Sequence, residues 1–188
     1  MDELESQRYT KKEFESLSKE DKRLLIIQDA LDSVTMEIVK PARGNYVHKI
    51  WYENSIKSIK ENPKISCEVC ELGALLISTC RFVNELTYDG VNALLHKGAK
   101  FKNFNKLFSN DQLILIESCF EGSFKRMDSR YGLRNMGLPY YNYEYNGDVY
   151  ETALEYFELF PDATDRMVAI FINMIYNDGI FIPEQDLD

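Results

Sequence analysis

The stretch at residues 66–86, SCEVCELGALLISTCRFVNEL, constrains the chain more than any other. Apolar residues at Val69, Leu72, Ala74, Leu75, Leu76, Ile77, Cys80, Phe82, Val83 and Leu86 cover more than one stripe of a helix. The spacing therefore predicts a helix buried on most sides. Ser66 is suited to cap it, and Glu68 would then lie in the first turn, where the helix dipole favours a carboxylate. Gly73 and Ala74 lower helix propensity or side-chain bulk and let a neighbouring helix approach closely. Glu71 and Arg81 interrupt the run, which is too short to cross a membrane. In a buried helix Glu68, Glu71, Ser78, Arg81, Asn84 and Glu85 must each find partners or water. The plain role of such a helix is core.

The rest of the chain reads as helices around this one. Helices are expected at residues 11–17 after Thr10 and from Ser18, with Asp21 completing a capping-box variant, to about Val39. In the second, Leu24, Ile27, Leu31, Val34 and Ile38 share a face until Pro41 stops it. Ser109 with Gln112 opens a helix that Gly122 ends, expected to pack on the central one. Asp148 with Glu151 opens another, with Tyr150, Leu154, Phe157 and Leu159 facing inward. Asp162 with Asp165 opens the last, through Met167, Val168, Ile170, Phe171, Met174 and Ile175 to the stop Asn177-Asp178-Gly179. Ile180 to Pro183 should dock on the body, and Glu184, Asp186 and Asp188 should be solvated. No hairpin chemistry or internal repeat is visible. The expectation is an all-α bundle of about six helices with long aromatic and basic loops. It occupies residues 10–183 as a single domain, between a polar tail at 1–9 and an acidic tail at 184–188.

Composition narrows the function classes. A chain of 188 residues with 45% hydrophobic and 28% charged residues has enough material for a core and is not a disordered polymer. The first residues are charged throughout, with neither a leader pattern nor a membrane span, so the expected location is cytoplasmic. The four cysteines Cys67, Cys70, Cys80 and Cys119 are then expected as free thiols. Cys67-x-x-Cys70 has the spacing of half a zinc site, but no second pair exists and the histidines are only His48 and His96, so no metal and no cofactor is expected. A thiol at a helix start can be reactive, whereas a buried one packs as a small hydrophobe.

Charge is unevenly placed. The net charge is -9, with eleven acids against the single base Arg166 in residues 135–188. Basic residues cluster in the middle, at Lys40, Arg43, Lys49, Lys57, Lys60 and Lys64, at Lys97, Lys100, Lys102 and Lys106, and at Lys125, Arg126, Arg130 and Arg134. The overall acidity disfavours nucleic acid, while local cations suit a small anion or phosphate. Residues 40–46 (KPARGNY) join two cations, a glycine and a tyrosine, and residues 123–147 interleave tyrosines with arginines.

The stretch CEVCELGALL, after a GNY loop and before a helix ending NDGIFIP, resembles a group of small bacterial and phage proteins with Cys-x-Val-Cys followed by Gly-Ala on a helix. The likeness covers the chain from about residue 24 and implies kinship; it carries no catalytic residue with it.

There is no GxSxG, HExxH or GxGxxG. The expected function is a non-catalytic binder of an anionic, nucleotide-derived small molecule, which in a phage setting would sequester a host defence signal. Lys40, Arg43, Arg81, Arg126 and Arg130 would hold phosphate, Tyr46 would stack, and Asn84 would read a base or ribose edge. The alternative is a protein–protein inhibitor or adaptor that turns an acidic surface, such as that of residues 135–188, toward a basic host protein. A weaker alternative is a thiol-dependent enzyme pairing Cys67 or Cys70 with His48 or His96. Buried helices with aromatic loops leave room for a homodimer.

Overall fold

The computed structural model describes residues 11–43, 47–50, 67–83, 106–122 and 147–187. Among these residues lie seven helices and three short strands. They are α1 (Lys11–Ser16), α2 (Lys19–Thr35), β1 (Val39–Pro41), β2 (Val47–Ile50), β3 (Cys67–Val69), α3 (Glu71–Val83), α4 (Asn110–Glu121), α5 (Gly147–Leu159), α6 (Ala163–Tyr176) and α7 (Glu184–Leu187). The fold is all-α in character, with one small sheet.

α3 is the central helix the sequence anticipated. Every residue from Val69 to Thr79 is buried. α3 packs against α2 and α4, and α1 leans on it through Phe14, whose ring stacks on Phe82 with centroids 5.2 Å apart. The expected packing of α3 on α4 is therefore present. Its start differs from the expectation. The helix begins at Glu71, and the Cys70 carbonyl accepts the first helical bond from Ala74 at 3.0 Å. Cys67 lies in β3, which forms the middle strand of a sheet ordered β1-β3-β2. β1 runs parallel to β3, pairing Val39 with Cys67 and Pro41 with Val69, while β2 runs antiparallel with an irregularity between Val47 and Lys49. No hairpin turn announces this sheet, because its one parallel pair joins strands far apart in the chain.

That pairing also shortens α2. Its Ser18 cap is as expected, accepting from the Asp21 N–H at 3.0 Å, but the helix ends at Thr35 rather than near Val39. Glu37 sits in the left-handed region at φ 57 and closes the helix, with Glu37 N–H donating to Val34 and Ile38 N–H donating to Ser33. This is the bond pattern that usually places glycine at the turn. Val39 is then free to enter β1, where it is buried.

At the other end, α4 stops at Gly122 and α6 is capped by Asp162, both as expected. α5 is rotated from its expected phase. Ala153 and Tyr156 face the core, and Leu159 is 48% exposed. Tyr156 buries completely because its hydroxyl donates to Asp186 at 2.8 Å. The acidic end is correspondingly not all solvated: 184–187 form α7, and Asp186 is half-buried between Tyr156 and Asn173. The expected docking of residues 180–183 is carried by two side-chain amides. Gln112 exchanges two bonds with the backbone of Phe181 (3.1 and 2.7 Å), and Asn173 does the same with Ile182 (2.8 and 2.9 Å). Ile26, Ile27, Leu75, Leu113, Tyr156, Phe171 and Phe181 belong to one continuous apolar core.

Backbone handedness supplies a paired test. Glu37→Gly relieves a left-handed side-chain penalty and should raise stability by about 1 kcal/mol. Gly122 stands at φ 74, and a Cβ there would come within 2.2 Å of the Phe157 ring. Gly122→Ala should therefore lower stability by about 2 kcal/mol or more. Urea unfolding followed by circular dichroism checks both signs.

Candidate functional site

The small sheet determines what meets at the end of the bundle. The Pro41–Val69 register, continued by the Ala42 N–H donating to Val69 at 2.8 Å, places Arg43 and Glu71 just past the carboxyl ends of two parallel strands. α4 contributes Glu117 and Glu121, four residues apart on one helical face. α6 contributes Arg166, and α5 contributes Phe157.

Arg166 is only 1% exposed and bonds to three backbone carbonyls. Its Nε donates to the Phe120 carbonyl at 2.8 Å, and its Nη1 donates to the carbonyls of Phe160 and of Pro161, the latter at 3.1 Å. Its guanidinium also lies 4.1 Å from the Phe157 ring centroid. Arg43 approaches the same ring at 4.6 Å, donates to the Glu121 carbonyl and pairs with the Glu121 carboxylate at 3.6 Å. Neither α4 nor α5 has a basic residue in its last turn. The two arginines thus supply, from elsewhere in the chain, the cations that helix C-termini favour. Burial and the neighbouring Arg43 press the Arg166 guanidinium below its ordinary range.

Three carboxyls are buried beside them: Glu71 at 0%, Glu117 at 1% and Glu121 at 6% exposure. Among the described residues, neither Glu71 oxygen has a hydrogen-bond partner beyond its own backbone N–H. Burial, then the charges of Glu121 and Glu117, push the Glu71 carboxyl well above its ordinary value, so its neutral form is favoured. A buried polar group left unmet costs about 1–3 kcal/mol, which a core helix would avoid by placing an apolar residue there. The sulfurs beside the cluster are held as thiols. Cys70 is pushed up by burial and then by Glu71, and Cys119 by burial first. Neither has the thiolate character that nucleophilic chemistry needs.

The residues singled out from sequence are distributed unevenly. Lys40 is exposed on β1, and Arg43 lies on the α4–α5 side as above. Arg81 is on α3, its side chain outside the described residues, and Tyr46, Asn84, Arg126 and Arg130 also lie outside them. So does the suggested pairing of Cys67 or Cys70 with His48 or His96, whose histidine side chains are not described. Among the described residues, no three His, Cys, Asp or Glu groups are arranged to hold a metal ion. No described helix is long and apolar enough to cross a membrane. Sequence reasoning noted Glu71 only as a polar residue needing a partner, and did not select Glu117, Glu121, Phe157 or Arg166. Arg166 had one usable signal: a lone base in the first turn of a helix, where the dipole disfavours it, needs acceptors from elsewhere.

Two measurements check this chemistry. With the folded-state value of Glu71 raised, the native protein keeps a proton that the unfolded chain releases, so this group's stabilising share is full below the ordinary value of 4.5 and is lost as pH rises. Above pH 4.5 the slope from Glu71 should approach ~1.4 kcal/mol per pH unit until its raised folded-state value is passed, and Glu71→Gln should flatten it in urea melts. Mass-mapped alkylation of the native protein should leave Cys70 and Cys119 unlabelled until denaturant is added.

No family model matches the chain, and no curated protein or solved structure is significantly similar to it.

Proposed function

We propose that this protein is a non-catalytic interaction protein that presents an acidic helical face to a basic partner. The observation that carries the reading is the burial of Arg166. It is the single base in residues 135–188, and it is 1% exposed, so it puts no positive charge on that part of the surface. Along α5, Glu151, Glu155 and Glu158 are exposed at helical spacing, and Asp162 and Asp165 extend the acidic face onto α6. Apolar side chains are exposed in the same segment, Leu159 at 48% and Ile172 at 40%, and would supply contact area between the charges. Such a face steers a cationic partner and sets its register.

A second reading keeps the anionic, nucleotide-derived small molecule, supported by exposed Lys40 and by Arg43, whose side chain is 46% exposed three residues on. The two separate by experiment. The triple variant Glu151→Lys, Glu155→Lys, Glu158→Lys should keep its far-ultraviolet spectrum and lose at least about tenfold in affinity for a polylysine probe measured by fluorescence anisotropy. Unchanged affinity defeats the acidic-face reading. A bound mass of a few hundred daltons in native mass spectra, absent from Lys40→Glu, would favour the anion binder instead.

A further inference from the structure

α6 is apolar on both sides. Arg166, Met167, Ile170, Phe171, Asn173 and Met174 are buried, on the side that packs against α2, α4 and β1. The opposite arc holds Asp165, Val168, Ala169, Ile172, Ile175 and Tyr176, at the three- and four-residue steps that make one continuous face. The solvent arc of a helix is ordinarily polar. Here Ile172 is 40% exposed, and Tyr176, at 83%, is the most exposed large hydrophobic among the described residues. Val168, Ala169 and Ile175 are half-buried around them. We propose that this face, with the acids at its amino-terminal end, receives a basic amphipathic helix of a partner protein. The proposal rests on the acidic-face reading above and gives that partner its form.

Charge selects a basic partner. The amino-terminal end of the face is bordered by Glu158, Asp162 and Asp165, all exposed. Of the bases described at that end, Arg166 turns inward onto carbonyls and Arg43 is paired with Glu121. At the other end Arg23 donates to the Asp178 carbonyl at 2.9 Å, beside an exposed Asp178 side chain, so the acidic excess lies at the amino-terminal end. A second copy, also at net charge -9, is disfavoured as the occupant. Backbone chemistry selects a helix. The flank of a helix offers no free N–H or C=O, so an extended peptide laid there would bury unmet groups of its own. A helix arrives with those bonds already made and presents only side chains. Ala169 leaves a dip between Asp165, one turn before it, and Ile172, one turn after, where a leucine-sized side chain can seat. A lysine or arginine one turn along the partner then reaches Asp165, and Tyr176 supplies the aromatic contact that interfaces favour.

Fluorescence anisotropy with two labelled peptides of identical leucine and lysine composition, one patterned as an amphipathic helix and one scrambled, tests this. The full-length protein should bind the patterned peptide at least about tenfold more tightly than the scrambled one. The double variant Ile172→Ser, Tyr176→Ser should keep its far-ultraviolet spectrum and lose that preference, and Asp165→Asn should weaken the patterned peptide severalfold. Equal affinity for the two peptides, or a preference that survives the double variant, overturns the helix site. Loss of polylysine binding in the Glu151→Lys, Glu155→Lys, Glu158→Lys variant would leave the acidic-face reading standing after that failure. A concentration-dependent dimer in sedimentation that Tyr176→Ser dissolves also overturns the proposal, by giving the face to a second copy. Should the double variant not fold, Tyr176→Ser alone decides by the same comparison.

Discussion

Arg166 ties the ends of two helices to a third. Helices leave their last carbonyls without internal partners, and α4 and α5 end without a cation of their own. One guanidinium reaching from the first turn of α6 answers Phe120, Phe160 and Pro161 together, with the Phe157 ring against it. Burying that charge is unfavourable, but its Nε and Nη1 donate to carbonyls and its face meets an aromatic ring, which offsets part of the lost water. The arrangement also fixes Gly122, because the ring that covers the guanidinium occupies the space a Cβ would need.

The sheet, though only three strands of three or four residues, sets the chemistry of this end. Parallel strands bring residues that follow them to a common edge, so Arg43 and Glu71 arrive together although they come from distant parts of the chain. α4 then lays Glu117 and Glu121 against that edge. The result is an enclave of opposite charges under an apolar core, in which burial and the neighbouring carboxylates favour the protonated form of Glu71. The acidic outer face of α5 follows from keeping Arg166 inside.

Much of the bundle was legible because its signals are local. Ser18, Ser109 and Asp162 cap the helices they were expected to cap, and Gly122 and the Asp178-Gly179 turn end theirs. The central helix was evident from a run too apolar to have a solvent side. What escaped was set by distant partners. The strand identity of Cys67 to Val69 depends on Val39 to Pro41, and the phase of α5 depends on Asp186 accepting from Tyr156 thirty residues later. The candidate site escaped for the same reason: Glu71, Glu117, Glu121 and Arg166 are ordinary residues in ordinary helices until tertiary packing places them together. Cation clusters along the sequence drew attention instead to Arg43, which the fold uses to cap α4, and to Lys40, which it leaves exposed.

The two amides at the C-terminal segment carry a chemical vulnerability. Gln112 and Asn173 copy a peptide group, each giving one N–H to the backbone of the C-terminal segment and taking one from it, and so hold Phe181 and Ile182 as a neighbouring strand would. Hydrolysis of either amide to its acid keeps the shape but replaces a donor with a second acceptor. At Asn173 the new oxygen would face both the Ile182 carbonyl and the Asp186 carboxylate, turning attraction into repulsion on two sides. The fastening of the chain's end is thus a place where slow ageing of the protein, without any change in its gene, would release α7 and unseal the core beneath Phe181.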